Sequence, residues 1–312
     1  MIRSRKKNHP ILILPYGWNV AETPILLGEI SSMTAIDNMY ALPHLAAIWV
    51  SGLDAEKFLQ SQLSSNVAVL EPKGVQLSSW CAANGRVIGL GWLSRTAEGF
   101  CWIVAADTAE AIIAGLNKYR LRAKVSITGG NDADTVVVGS ESSLLGVQLA
   151  DGRSLGFAKN AEFAAAPAHF LARWYQRDIE LKIPWNGGGE RFLPQMLGIE
   201  RFAGLSLKKG CFPGQEVISR LHYKGLLKRS LRVLRFEPMV AQSGVAQSRV
   251  AQPILTGNYL CNDTSDEIVL IQTQRLSALA VVGDHLSRNF SVQRDALELF
   301  CCTDDAEFVA TP

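Results

Sequence analysis

The sequence predicts an α+β fold, two mixed units followed by a small β-barrel. Three features predict it. Up to Gly130 the chain alternates short apolar runs with amphipathic segments in the order strand, helix, two strands, helix, strand. A second set of short apolar runs leads into an amphipathic stretch at Phe170 to Leu181. From Leu231 onward helical periodicity gives way to short β-rich pieces at close spacing, the pattern of a small barrel.

In chain order, Ala46 to Val50 is an apolar run of strand length that stops at Ser51-Gly52. Asp54 can cap a helix reaching about Leu63, with Leu53, Phe58, Leu59 and Leu63 on one side. Val87 to Leu93 and Phe100 to Ala105 are strands, and Asp107 with Glu110 forms a capping-box pattern before a helix bearing Ile112, Ile113 and Leu116. Lys124 to Thr128 returns as a strand and ends at Gly129-Gly130. This order is a split βαβ layout, an antiparallel sheet with helices on one face. Thr135 to Val138 and Leu155 to Ala158 open the second set, and Pro184 to Gly189 is a loop. Leu231 to Phe236, Ile268 to Thr273 and Ala278 to Val282 are the barrel strands, and the Val-Ala-Gln-Ser repeat at Val240 to Ser248 reads as a mobile loop.

At 312 residues the chain exceeds one ordinary core. The expected division is 1–32 as an N-terminal extension, 33–128 and 129–229 as the α+β units, and 230–312 as the barrel. With 48% hydrophobic and 19% charged residues the composition is that of an ordinary globular protein. A net charge of +2 provides no global pull toward nucleic acid or acidic membranes. No apolar run approaches the length of a membrane span. The basic start, Met1 to Lys7, precedes an apolar run too short for a signal sequence, so an extension or an early start is expected rather than a targeting signal. Six cysteines without a Cys-x-x-Cys pair or disulfide-framework density point to a reducing, cytoplasmic setting.

The most informative stretch is Lys208-Lys209-Gly210-Cys211-Phe212-Pro213-Gly214-Gln215-Glu216. Gly210 and Gly214 allow backbone conformations that a Cβ forbids, and Pro213 ends the turn sharply. From Gly214 a short helix is expected, with Val217, Ile218 and Leu221 as its apolar face and Glu216–Arg220 as an i,i+4 pair. A thiol beside a helix N-terminus and two lysines is favoured as a thiolate, hence as a nucleophile or metal ligand. The competing reading is a buried cysteine filling a core gap. Cys211, Lys209, Gly210, Gly214, Gln215, Glu216 and Arg220 are the candidate reactive site.

Basic residues gather around this stretch. Lys208, Lys209, Arg220, Lys224, Lys228, Arg229, Arg232 and Arg235 stand against the single acid Glu216, which makes either a solvated face or a site for an anionic partner, RNA included. No metal site is legible. The five histidines lack ligand spacing, and one plausible cysteine cannot hold a cluster that needs about four ligands.

Lys-Gly-Cys-Phe-Pro-Gly-Gln-Glu at 209–216, with Arg220 beyond it, resembles the signature of the YgfZ family of folate-binding proteins, relatives of the glycine-cleavage T-protein that assist iron–sulfur enzymes. Val50 to Leu63, Lys118 to Val125, Ile179 to Pro184 and Phe192 to Gln195 are similar, in order, to further family segments. The resemblance implies two α+β units and a barrel arranged as a ring around a central channel, with the first two units exchanging segments. It implies a tetrahydrofolate or another folate as ligand, and iron–sulfur client proteins or cluster-transfer partners, including enzymes that modify tRNA. It also implies Trp174 as a folate contact, the alternative being a core tryptophan. A second family tryptophan falls at Leu45 here. Trp49, on the same strand face, is the candidate substitute. True aminomethyltransferases carry an acid in the bend that corresponds to Ala83-Asn84-Gly85-Arg86, which has none. A folate-dependent aminomethyl transfer is therefore the second reading, because the reaction lacks a proton acceptor there.

Overall fold

The computed structural model describes residues 13–14, 18–19, 39–72, 74–130, 135–141, 147–149, 151–159, 163–185, 190–236, 256–262, 264, 266–286, 289–294 and 297–304. The expected mobile repeat at 240–248, residues 186–189 of the expected loop and most of the 1–32 extension lie outside them. Within the extension, strands β1 (Ile13–Leu14) and β2 (Trp18–Asn19) pair antiparallel.

The first sheet is antiparallel and has five strands: β4 (Leu45–Ser51), β5 (Val75–Cys81), β6 (Val87–Arg95), β7 (Gly99–Ala105) and β8 (Ser126–Gly130), in the order β5-β6-β7-β4-β8. Strand β4 is covered on both faces. Ala46, Ile48 and Val50 point toward one core, Leu45, Ala47 and Trp49 toward another, which is why its sequence is a continuous apolar run. Helices α1 (Ala55–Gln62) and α2 (Ala106–Arg120) lie together on the first face through Phe58, Leu59, Ile112 and Leu116. The helices-on-one-face layout is thus present, with one strand more than expected, since β5 was not anticipated.

Two caps differ from expectation. The Asp54 carboxylate does not cap α1; its Oδ2 accepts the Lys124 backbone N–H at 2.7 Å, tying the helix start to the approach of β8. Helix α2 begins directly after β7, with Asp107 inside its first turn rather than at a cap. Leu53, expected on the apolar side of α1, is 87% exposed because it precedes the helix and points away from the sheet.

The second sheet is β10-β11-β9-β3, built from β3 (Met39–Ala41), β9 (Thr135–Ser140), β10 (Val147–Gln148) and β11 (Ser154–Lys159). Strand β3 precedes β4 in sequence but pairs with β9, so the chain starts in one sheet, crosses to the other and returns. Helix α3 (Ala168–Glu180) buries Phe170, Trp174, Asp178 and Ile179. A buried charge network fixes it to the turn before β11. Arg153 donates to Asp151 Oδ2 (2.6 Å) and Asp178 Oδ1 (2.7 Å), and Trp185 Nε1 donates to Asp178 Oδ2 (2.8 Å). Burial pushes the Asp178 carboxyl up to about 6, against the opposing pull of Arg153 and the Trp185 N–H.

Two 3-10 turns, Pro194–Leu197 and Ile199–Phe202, lead to helix α4 (Gln215–Lys224). Then β12 (Arg229–Phe236), β13 (Gly257–Cys261), β14 (Glu267–Gln274), β15 (Ser277–Gly283), β16 (Asn289–Arg294) and β17 (Leu297–Asp304) close a barrel in the order β12-β15-β14-β13-β16-β17. Side chains alternate along its strands. Leu234, Ile268, Leu270, Ala278, Ala280 and Val282 fill the interior, while Leu231, Val233, Val269, Ile271, Leu279 and Val281 face outward into a core shared with both α+β parts. Among the described residues, no helix is long and apolar enough to cross a membrane.

Candidate functional site

The Cys211 thiol is exposed, on a loop whose neighbours are buried and bonded on several sides. The approach to the loop runs along the end of α1. Ser206 donates its N–H to Ser64 O at 2.9 Å, and the Lys209 ammonium donates to Leu63 O (2.6 Å) and Ser65 O (2.7 Å), the two carbonyls flanking Ser64. Ser64 is itself anchored, its Oγ 2.7 Å from Ser79 Oγ and 2.6 Å from Gly204 O. The ammonium also lies 5.2 Å from the centre of the Phe212 ring, and burial lowers its pKa to about 8. This corrects one expectation: Lys209 spends its charge on backbone carbonyls of the first unit and does not present it outward beside the thiol. Lys208 is exposed.

On the other side of the thiol, Phe212 and Ile218 are buried in the shared core, and Gln195 Nε2 donates to Ile218 O at 2.8 Å. Gly214 has φ +78°, and a Cβ there would lie 2.4 Å from Gly85 Cα and 2.6 Å from Ala82 O. The cysteine loop therefore sits directly on the bend between β5 and β6. Gly210 differs from the sequence reading: its φ is not in the left-handed region and a Cβ would meet nothing within 4 Å. Helix α4 starts at Gln215 with Gly214 as its N-cap residue, as expected. Its Glu216–Arg220 pair forms at 3.1 Å, but with side chains 86% and 74% exposed it stabilises the helix by only about 0.3–0.5 kcal/mol. Of the expected apolar face Ile218 is fully buried, whereas Val217 is 41% exposed.

The β5–β6 bend carries no acid. Asn84 Oδ1 accepts the Arg86 N–H at 3.1 Å, and the Arg86 guanidinium donates to Arg191 O. Val87 donates its N–H to Phe192 O at 2.9 Å, and Arg191 reaches across to Asn258 Oδ1 and Glu267 on the barrel. Hydrogen bonds thus run from the bend through Arg191 to the barrel, while the cysteine loop meets the bend by close packing at Gly214.

Trp174 and Trp49 are in the same buried core as Phe212 and Ile218, while the thiol is outside it. Trp174 is 0% exposed, stacked on Phe170 at 5.7 Å, with the Arg153 guanidinium 4.4 Å from its ring centre. As placed it is a core residue, and stacking a ligand ring on it requires Phe170 or Arg153 to move. Trp49 meets Phe157 edge-on at 4.8 Å. Trp92 Nε1, Trp174 Nε1, Gln195 Oε1 and Gln272 Nε2 are buried without a hydrogen-bond partner among the described residues.

Sequence reasoning missed the Ser64–Ser79 and Ser65–Ser78 pairs, Gln195, Arg191 and His44. No spacing signals them, because each partner is remote in sequence. Neither ring nitrogen of His44 has a partner among the described residues; burial holds its pKa down at about 4, and its ring is 4.7 Å from Tyr175. The buried thiols differ in kind from Cys211: burial pushes Cys81 up to about 11 and Cys101 well above the ordinary thiol value. Among the described residues, no group of three or more His, Cys, Asp or Glu side chains is placed to hold a metal ion.

No family model matches the chain. In structure it is similar to the glycine cleavage system aminomethyltransferase T from Bartonella henselae, with a TM-score of 0.62 and 17% sequence identity, over 87% of this chain and 86% of that one. The expected fold class is therefore observed: a T-protein-like fold of mixed α/β units with a closed six-stranded C-terminal barrel.

Proposed function

We propose that this chain is a cytoplasmic, folate-binding accessory factor for iron–sulfur enzymes, including those that modify tRNA, and that Cys211 is its reactive group. The observation that carries the reading is the exposed Cys211 thiol on a loop anchored by Lys209, Gly214 and Ile218. A thiol with no packing role, presented on a loop so constrained, is suited to meet a partner's thiol, cluster or electrophile. Lys209 holds the loop to the α1 end, Gly214 permits its contact with the β5–β6 bend, and Gln215, Glu216 and Arg220 belong to the helix that follows.

The T-protein-like fold and the unpartnered buried polar atoms support folate as the ligand, with Trp174 Nε1, Trp92 Nε1 and Gln195 Oε1 the groups available to a pteridine. A bound tetrahydrofolate supplies one-carbon chemistry. The chain's own contribution is to bind and orient it, with Trp174 acting as a hydrogen-bond donor more than as a stacking surface. The transferase reading is the weaker one, because Ala83-Asn84-Gly85-Arg86 offers no carboxylate to take a proton.

The test is a titration with tetrahydrofolate followed by tryptophan fluorescence, together with complementation of a cluster-enzyme defect by wild type and Cys211→Ala. Saturable quenching, and loss of complementation by a Cys211→Ala protein that folds normally, is the expected result. Full complementation by Cys211→Ala removes the thiol from the mechanism, and an unresponsive fluorescence signal removes the folate.

A further inference from the structure

We propose that the outer face of α4 with residues 225–228 is a docking face for an acidic protein that lands over the Cys211 loop. Eight large hydrophobic side chains are exposed among the described residues, and three of them, Val217 (41%), Tyr223 (68%) and Leu226 (87%), fall within ten residues just after the cysteine loop. Around them stand the exposed cations Lys208, Lys224 and Lys228, none of which has an ion-pair partner among the described residues, and Arg220, which pairs with Glu216. Exposed aliphatic and aromatic anchors inside a rim where these cations outnumber the acids Glu216 and Glu200 are the make-up of a protein interface, with an apolar centre and a polar border.

The charge decides between occupants. A second copy of this chain would bring cations against cations, which is repulsive at close range. A nucleic acid would satisfy the lysines and could stack on Tyr223, but it offers Val217 and Leu226 no apolar surface. A lipid surface would take up Leu226, yet three apolar side chains beside the Glu216 carboxylate are a small anchor for a helix of ten residues. A protein segment presenting apolar side chains among carboxylates fits all the groups at once. The inference rests on the accessory-factor reading only in giving the thiol a protein partner, and its test involves no folate and no cluster enzyme.

The experiment measures disulfide exchange on the full-length protein. The probe is a synthetic helical peptide with leucines on one face, glutamates elsewhere, and one cysteine carried as a mixed disulfide with thionitrobenzoate. Cys211, having given its proton to solvent, attacks the peptide sulfur; the protein–peptide disulfide forms, and thionitrobenzoate leaves as the coloured thiolate. The Cys211→Ser variant provides the background from other thiols. The glutamate peptide should react on the order of tenfold faster than its lysine counterpart at low salt, with the advantage shrinking as salt is raised. Tyr223→Ser combined with Leu226→Ser should abolish that advantage while leaving the rate with free dithionitrobenzoate unchanged. Equal rates for the two peptides overturn the proposal. So does protection of Cys211 by poly(U) or by phosphatidylserine vesicles that the double variant abolishes, since the occupant would then be nucleic acid or membrane. A slow reaction of Cys211 with free dithionitrobenzoate bears instead against the reactive-thiol reading.

Discussion

Gly214 and Gly210 flank the same thiol, and the structure separates them. Gly214 combines a left-handed φ of +78° with backbone atoms of Gly85 and Ala82 where a Cβ would go, and backbone yields less readily than the end of a flexible side chain. Gly214→Ala should cost about 1–3 kcal/mol through overpacking and strain, and should lift the cysteine loop off the β5–β6 bend. Gly210→Ala meets open space at an ordinary φ and should stay within about 0.5 kcal/mol of wild type. Urea denaturation gives the first quantity, and the iodoacetamide rate at Cys211 reports loop position. Equal effects from the two substitutions would contradict the docking described for Gly214.

At the scale of elements, what the sequence made legible is what local patterning controls. Strands β4, β6, β7, β12, β14 and β15 and helices α2, α3 and α4 carry apolar runs or amphipathic spacing and were anticipated to within a few residues. Strand β5 was not, because its buried Ser78 and Ser79 read as polar breaks; they are tolerated since Ser65 and Ser64 supply hydrogen bonds from thirteen and fifteen residues away. The site divides in the same way. The cysteine loop and the Glu216–Arg220 pair are local and visible, whereas the inward turn of Lys209 depends on carbonyls of Leu63 and Ser65, about which the motif itself carries no information. The tie between α3 and the turn before β11 was equally hidden, and it can be tested. Asp178→Ala removes an acceptor shared by Arg153 and the Trp185 N–H inside the core and leaves the buried guanidinium with Asp151 as its carboxylate partner beside the Trp174 carbonyl. Breaking a buried pair by deleting one partner costs about 3–5 kcal/mol. Asp178→Asn should cost less, since its amide oxygen still accepts one bond. Denaturation midpoints that place Asn below Ala would show that the buried amide NH2, set against the donors of Arg153 and Trp185, costs more than the retained bond and volume return.

For the whole molecule the decisive feature is that one core belongs to three parts. Trp92 from the first sheet, Trp174 from α3, Ile218 from α4 and Leu279 from the barrel wall all belong to it, while the barrel keeps a separate interior around Leu270. A wall that is apolar on both sides ties barrel stability to that of the α+β parts, so the molecule should unfold in one cooperative step despite its length. All seven tryptophans lie before residue 186, so their fluorescence reports the α+β parts and not the barrel. Leu270→Ala touches only the barrel interior, where Leu270 is 1% exposed, and should cost about 2–5 kcal/mol. With a shared core, that loss must also lower the urea midpoint seen by tryptophan fluorescence, in step with faster hydrogen exchange along β12–β17. If the tryptophan midpoint stays put while barrel amides exchange faster, the barrel unfolds alone. The wall would then be a contact between independent domains rather than part of one core.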